Sequence, residues 1–275
     1  MTKAFQNPPP LIYGTAWKKE RTEQLVVQAI RCGFRGIDTA CQPKHYHEPG
    51  VGQALKHLND QGIPRSSLFI QTKFTPLSGQ DPARIPYDPR APIATQVRQS
   101  FQTSLANLGV DYLDALLLHS PLPSHSQTME AWHVLEELYQ QGILGLAGIS
   151  NCYDLETLKS IYDAATVKPS LLQNRFYAET GYDKALRQWC STKNIRYQSF
   201  WSLTANPQIL DHPLLRTLAE AYQVTVEQLF FRFLTLQSII PLIGTCSEKH
   251  MREDLAIFDF TLTVDQINQI NALLT

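Results

Sequence analysis

Three ionisable residues close apolar runs in which an ordinary core would have no use for them. Asp38 ends Phe34-Arg35-Gly36-Ile37-Asp38, Lys73 ends Leu68-Phe69-Ile70-Gln71-Thr72-Lys73, and His119 ends Ala115-Leu116-Leu117-Leu118-His119. A carboxylate, an ammonium and an imidazole gathered in one place can hold a charge pair and hand protons to a bound group near neutral pH. Each residue alone has a structural explanation: Asp38 as a cap, Lys73 with its stem buried and its head in water, His119 as a hydrogen-bonded core histidine. Placed together at one edge of one sheet they need each other, because buried unpaired charge is costly. The functional reading then outweighs the three separate ones. Other apolar runs close on Ser150-Asn151, Gln173-Asn174 and Phe200-Trp201.

Such placement needs many short strands pointing the same way. The chain offers eight: Leu11–Gly14, Gly36–Asp38, Leu68–Lys73, Tyr112–His119, Leu144–Ser150, Leu171–Asn174, Arg196–Phe200 and Ile239–Ile243. Helical patterns separate them: Thr22–Cys32, Pro49–Leu58, Ile93–Leu108, Thr128–Gln141, Leu155–Ala165, Asp183–Lys193, Leu214–Leu236 with a break, and Glu248–Ala256. Thr22 is expected to cap the first helix and Gly33 to end it. Val264–Leu274 reads as an extra C-terminal helix capped by Thr263. Alternating strands and helices mean a parallel sheet, either open and doubly wound or closed as a (β/α)8 TIM barrel. The strand count, the length of 275 residues and the lack of a G-x-G-x-x-G favour the barrel. The fold class is therefore α/β, one barrel domain over residues 1–275, with its chemistry at the C-terminal strand ends. The one long irregular stretch, Phe74–Pro92, carries five prolines and is expected to be functional or disordered.

Composition narrows the function. Hydrophobic residues make up 43% of the chain, enough for a large core, so disorder is excluded. Lys and Arg number 24 against 25 acidic residues, so no global field favours nucleic acid or an anionic membrane. The most apolar stretch, 229–244, is broken by Arg232, Gln237 and Ser238 and is too short to span a bilayer. Residues 1–10 have no apolar core of a signal peptide. Five cysteines, an odd count with no C-x-x-C, point to free thiols in a cytoplasmic protein. His45-x-His47-Glu48 has the look of a metal-ligand cluster. No histidine or carboxylate set on other strands completes it, so a metal-dependent hydrolase ranks as a rival and no metal is expected. There is also no G-x-S-x-G elbow.

Four motifs together carry a family resemblance. They are Gly33-Phe34-Arg35-Gly36-Ile37-Asp38-Thr39-Ala40 followed by Tyr46 and Val51-Gly52-Gln53-Ala54-Leu55; Thr72-Lys73; Leu117-Leu118-His119-Ser120-Pro121; and Gly148-Ile149-Ser150-Asn151. In this order they resemble the aldo-keto reductases, from Gly14-Thr15 to about Phe260. The resemblance implies a (β/α)8 barrel that reduces aldehydes and ketones with NADPH and without metal. It implies Tyr46 as general acid, with Lys73 beside it to lower its pKa, Asp38 pairing Lys73, and His119 orienting the carbonyl. For the cofactor it implies Thr15, Asp38, Ser150, Asn151 and Gln173 near the nicotinamide, and Phe200 stacked where a tyrosine is usual. Trp201, Ser202 and Leu203 belong to the loop over the pyrophosphate. Gly244, Thr245, His250, Glu253 and Asp254 form the adenosine end. Substrate would meet Trp17, Tyr46, His119 and Trp201; for Trp201, barrel packing is an equal alternative. Partners beyond a small carbonyl compound are not expected, and the family pattern implies a monomer. The same residues would also serve a cofactor-sensing subunit without turnover.

Three departures from the pattern stand out. Tyr46 follows Asp38 at a greater distance than usual, the insert lying in Cys41-Gln42-Pro43-Lys44-His45. Gly244 and His250 replace the Lys and Arg that commonly hold a 2′-phosphate, so NADH is expected to be accepted as well. Pro8-Pro9-Pro10 leads straight into the first strand, leaving no room for a hairpin plug under the barrel. Tyr87, in the proline-rich loop, is a further candidate pocket wall.

Overall fold

The computed structural model describes residues 6–274. Eight parallel strands close into a barrel in chain order: β1 (Ile12–Gly14), β2 (Gly36–Asp38), β3 (Phe69–Phe74), β4 (Leu113–Leu118), β5 (Leu144–Ser150), β6 (Leu171–Arg175), β7 (Arg196–Phe200) and β8 (Ile239–Ile243). Closure comes from β1 pairing with β8, with Ile12 opposite Leu242. Around the strands lie α1 (Thr22–Cys32), α2 (Glu48–Asp60), α3 (Ile93–Leu108), α4 (His125–Gln140), α5 (Leu155–Ala164) and α6 (Lys184–Thr192). The ring continues with α7 (Pro207–Leu210), α8 (Pro213–Tyr222), α9 (Val226–Leu236), α10 (Glu248–Leu255) and α11 (Val264–Asn271). The expected strands and helices are all present.

Local chemistry moves some boundaries. Thr22 does not cap α1 but lies inside it, its hydroxyl donating to the Lys19 carbonyl at the end of a short 3-10 turn. α4 starts at His125, before the expected Thr128, because the Ser124 side chain accepts from the Gln127 amide. The break expected within Leu214–Leu236 falls where Gln223 adopts φ 57° and Thr225 opens α9 with a capping box. Gly33 ends α1 at φ 129°, a conformation that L side chains rarely adopt. Thr263 caps α11 as expected.

Two apolar layers result. The larger one lies between barrel and helices and includes Phe34, Phe101, Trp132, Phe176 and Phe230. The smaller fills the barrel floor with Ile12, Phe69, Ala115, Leu117 and Leu171. Among the described residues no strand precedes β1. Pro9 covers the floor instead, and a Cβ on Gly36 would come within 2.7 Å of its ring. The stretch after β3 is tied down rather than loose. Gln80 Nε2 donates to the Cys41 and Thr75 carbonyls, and Gln42 Nε2 donates to the Gly79 carbonyl. Tyr87 proves to be a buried core residue, not a pocket wall: it packs on Phe74 and donates its hydroxyl to Thr75 O at 2.8 Å. No helix among the described residues is long and apolar enough to cross a membrane.

Candidate active site

Strand alternation delivers the site. On β3, Phe69 belongs to the apolar floor, so Gln71 and Lys73, two and four positions on, also point into the barrel. Lys73 is fully buried and donates to both Asp38 oxygens, at 2.6 and 2.7 Å, and to the Thr39 carbonyl at 2.9 Å. All three ammonium protons are thereby used. Burial pulls the Lys73 pKa below its ordinary value, while the Asp38 carboxylate opposes that shift. Asp38 is anchored from behind, its backbone carbonyl accepting from both the amide and the hydroxyl of Thr15. Thr15 itself is fully buried.

Tyr46 comes from the loop between β2 and α2. Its ring centre lies 5.2 Å from Lys73 Nζ and 6.0 Å from the His119 ring, which meets it edge-on. The Lys73 protons go to Asp38 and Thr39, so in the free protein the phenol receives no hydrogen bond from the ammonium. Burial, followed by the Asp38 charge, pushes the phenol well above its ordinary value. Tyr46 is thus a loaded proton donor rather than a phenolate. His119 is held neutral: burial, then the charges of Lys73 and His45, keep its pKa well below the usual imidazole range. Its Nδ1 lies 2.6 Å from the Thr75 hydroxyl. In the tautomer that accepts from Thr75, Nε2 carries the proton and can donate to a carbonyl.

The residues expected around a nicotinamide join this cluster directly. Asn151 Nδ2 donates to the His119 carbonyl at 2.9 Å, and Ser150 Oγ donates to the Gln173 carbonyl at 2.7 Å. Gln173 Nε2 donates to Asp38 Oδ1 at 3.0 Å and to Gln198 Oε1 at 2.8 Å. Its Oε1 has no partner among the described residues. Phe200 ends β7, partly accessible, and Trp201 beyond it is 50% exposed. Trp17, Asn151 and Trp201 all have positive φ, at 64°, 50° and 56°, each just past a strand end. For bulky tryptophans this is strained backbone of the kind found at functional sites. Ser202 is buried with its hydroxyl on Ser199, and Leu203 packs against the outer core.

The expected adenosine end lies beyond β8, and among the described residues no hydrogen bond joins it to these groups. Gly244 and His250 are exposed; Thr245 Oγ1 accepts from the Ser247 amide and lies 3.5 Å from His250 Nδ1. Glu253 faces Lys249 at 3.6 Å. Asp254 is turned inward, and burial, then the neighbouring Glu253 and Glu227 charges, raise its pKa to about 7.

Several residues of the site lie outside the sequence motifs. Gln71 and Gln198 complete the polar layer under Lys73, and two-residue alternation back from Lys73 and Phe200 could have found them. Lys18 is nearly buried; its ammonium donates to Gly244 O and lies 3.4 Å from Cys246 Sγ, with no ion pair to any described residue. Nothing in its local sequence shows that it reaches across to the β8 loop. Arg175 holds its guanidinium 4.3 Å from the Trp201 ring and 5.1 Å from Tyr177. His45, in the insert, packs on Trp17 with ring centres 3.9 Å apart and planes tilted by 38°. The nearby Glu48 is committed to Thr72, Ser104 and Asn107. Among the described residues no three His, Cys, Asp or Glu side chains are grouped to hold a metal ion.

Comparison with known proteins fits this geometry. The model of the Aldo/keto reductase family matches residues 10–275. An uncharacterized oxidoreductase, YtbE, of Bacillus subtilis is 34% identical over 90% of this chain and 82% of its own. Glyoxal reductase of the same organism is 31% identical over 92% of this chain and 83% of its own. The crystal structure of an aldo/keto reductase from Brucella melitensis superposes with a TM-score of 0.80 at 28% identity, covering 98% of this chain and 96% of that one. Family model, relatives and barrel agree, and the chain belongs to the aldo/keto reductase family.

Proposed function

We propose that this protein reduces small aldehydes and ketones to alcohols as a single barrel unit in the cytosol, with NADPH as first cofactor and NADH accepted. The observation that carries the reading is the meeting of a neutral phenol, a neutral imidazole and a buried Lys–Asp pair at one barrel mouth. The dinucleotide, when bound, supplies the hydride. The protein holds the carbonyl oxygen between Tyr46 and His119, and Tyr46 gives that oxygen its proton. The Lys73–Asp38 pair stands behind the phenol, with Lys73 Nζ 5.2 Å from the ring centre, and holds that wall of the site in place.

Leftover groups suit the cofactor. Gln173 Oε1 is free to accept from a carboxamide, and so is the lone pair of Ser150 Oγ that Asn151 Nδ2 does not occupy. Lys18, an ammonium with no described carboxylate, suits a phosphate and stands in for the lysine missing at Gly244. Trp17 at 57% exposure and Trp201 at 50% leave the mouth open, which favours broad specificity for the carbonyl compound. The relation to a glyoxal reductase makes α-oxoaldehydes the first substrates to try.

The test is cofactor oxidation with nitrobenzaldehyde and with methylglyoxal, NADPH and NADH in parallel, and Tyr46→Phe as control. Turnover with NADPH that falls at least about a hundredfold in the variant, about 3 kcal/mol of barrier, is the expected result. Binding of NADPH without turnover of any carbonyl compound would replace this reading with a cofactor-sensing subunit.

A further inference from the structure

Beneath the reacting groups lies a closed set of amides. Gln71 on β3 and Gln198 on β7, on opposite sides of the barrel, exchange hydrogen bonds in both directions, each 2.9 Å long. Gln198 Oε1 also accepts from Gln173 Nε2 on β6 at 2.8 Å. Gln71 and Gln173 each give their second amide proton to Asp38 Oδ1, at 2.7 and 3.0 Å. All four residues are buried.

The polarity of this set is fixed from one end. An ionised Asp38 only accepts, so Gln71 and Gln173 must both turn Nε2 towards it. Their remaining Nε2 protons then need one shared acceptor, and Gln198 Oε1 is that acceptor. With both Gln173 amide protons committed, its carbonyl oxygen is the one heavy atom of the set left without a partner. We propose that Gln198 is a positioning residue that locks the Gln173 amide with its oxygen free for the cofactor and holds the donors that keep Asp38 paired with Lys73. This rests on the dinucleotide-dependent reading above. Gln198 acts only through Gln173, Gln71 and Asp38.

Two substitutions separate positioning from packing. Gln198→Met keeps roughly the volume and removes every hydrogen bond. Gln198→Glu is conditional. As a neutral acid its carbonyl oxygen accepts from Gln71 and Gln173, and its hydroxyl donates to Gln71 Oε1, as the native amide does. Once ionised it loses that donated bond and sets a second negative charge beside Asp38. The charged groups of the cluster are Asp38 and Lys73, with the neutral phenol of Tyr46 above them. Burial and Asp38 favour the neutral acid at that position into the neutral pH range.

The experiment is NADPH binding to the full chain by fluorescence at about pH 6 and about pH 8, with a melting curve for each protein. Gln198→Met is expected to raise Kd at least about tenfold. Gln198→Glu is expected to bind within about threefold of wild type at the lower pH and at least about tenfold more weakly at the higher. A folded Gln198→Met that binds like wild type overturns the inference alone. So does a Gln198→Glu whose affinity relative to wild type is the same at both pH values, and this arm stands even where Gln198→Met does not fold. A wild type that fails to bind NADPH at all overturns the proposed function and this inference with it.

Discussion

Lys73 holds its ammonium 5.2 Å from the centre of the Tyr46 ring, yet gives its protons to Asp38 and Thr39. The charge near the phenol therefore belongs to a pair, and the Asp38 carboxylate acts on the phenol as well. This is why burial and Asp38 govern Tyr46, and why the residue is an acid waiting for a substrate oxygen.

The pair itself is expected to behave as a unit. Lys73→Met leaves the Asp38 carboxylate buried without its cation, at a cost of about 3–5 kcal/mol. The double variant Asp38→Asn with Lys73→Met leaves neutral groups, and Gln71 and Gln173 still have an acceptor. Chemical denaturation is expected to return at least about half of the lost stability in the double variant, while carbonyl reduction stays low in both. Equal instability of the single and double variants would contradict the account.

Tyr46 is expected to contribute nothing to phenolate absorbance in the ordinary tyrosine range. Spectrophotometric titration of wild type and Tyr46→Phe between about pH 8 and pH 11 should give superimposable curves at 295 nm. Loss of one tyrosine's share of the signal in the variant would mean that Lys73 does lower the phenol after all.

Lys18 links cofactor affinity and stability with opposite signs. The residue is 9% exposed, its ammonium bonded to Gly244 O and next to Cys246, with no described anionic partner. Lys18→Met is expected to leave the melting temperature of the free protein equal or higher, since no described ion pair is lost and the side chain packs as an apolar stem. The same change should weaken NADPH binding at least about tenfold, about 1.4 kcal/mol. A variant that binds NADPH as tightly as wild type would remove Lys18 from the phosphate site.

Asp254 gives a pH signature. Its pKa in the folded protein is raised to about 7, by burial first and then by Glu253 and Glu227. In the unfolded chain it returns to about 3.9. The folded state thus binds the proton more tightly, so the stabilisation is complete below about pH 4 and is lost as pH rises through about 7. Asp254→Asn is expected to remove this slope, leaving the variant more stable than wild type by on the order of 2 kcal/mol at about pH 8. Parallel melting curves at pH 4, 6 and 8 would test it; equal slopes in the two proteins would count against it.

The strands and most helices follow from short-range chemistry, which is why the residue pattern anticipated them. Two-residue alternation set Phe69, Gln71 and Lys73 on one face, and three-residue spacing set Leu155, Leu158 and Ile161 on another. A parallel sheet of eight such strands has its C-terminal ends on one side, so Asp38, Lys73 and His119 had to share a rim once the barrel closed. Family motifs then attached Tyr46 to that rim despite its lengthened loop.

Other features depend on distances that no local pattern encodes. The protonation states of Tyr46 and His119 were set by burial and by where the Lys73 protons point, and both depend on the assembled barrel. Tyr87 became core because the proline-rich loop folds back onto Thr75. Residues 127 positions apart, Gln71 and Gln198, became partners only because closure brings β3 and β7 face to face across the interior. Residue type and periodicity fixed which side chains face inward, because side-chain direction is a property of neighbouring residues. Closure alone decided which of those side chains meet, and hence which protons are held and which are free to move.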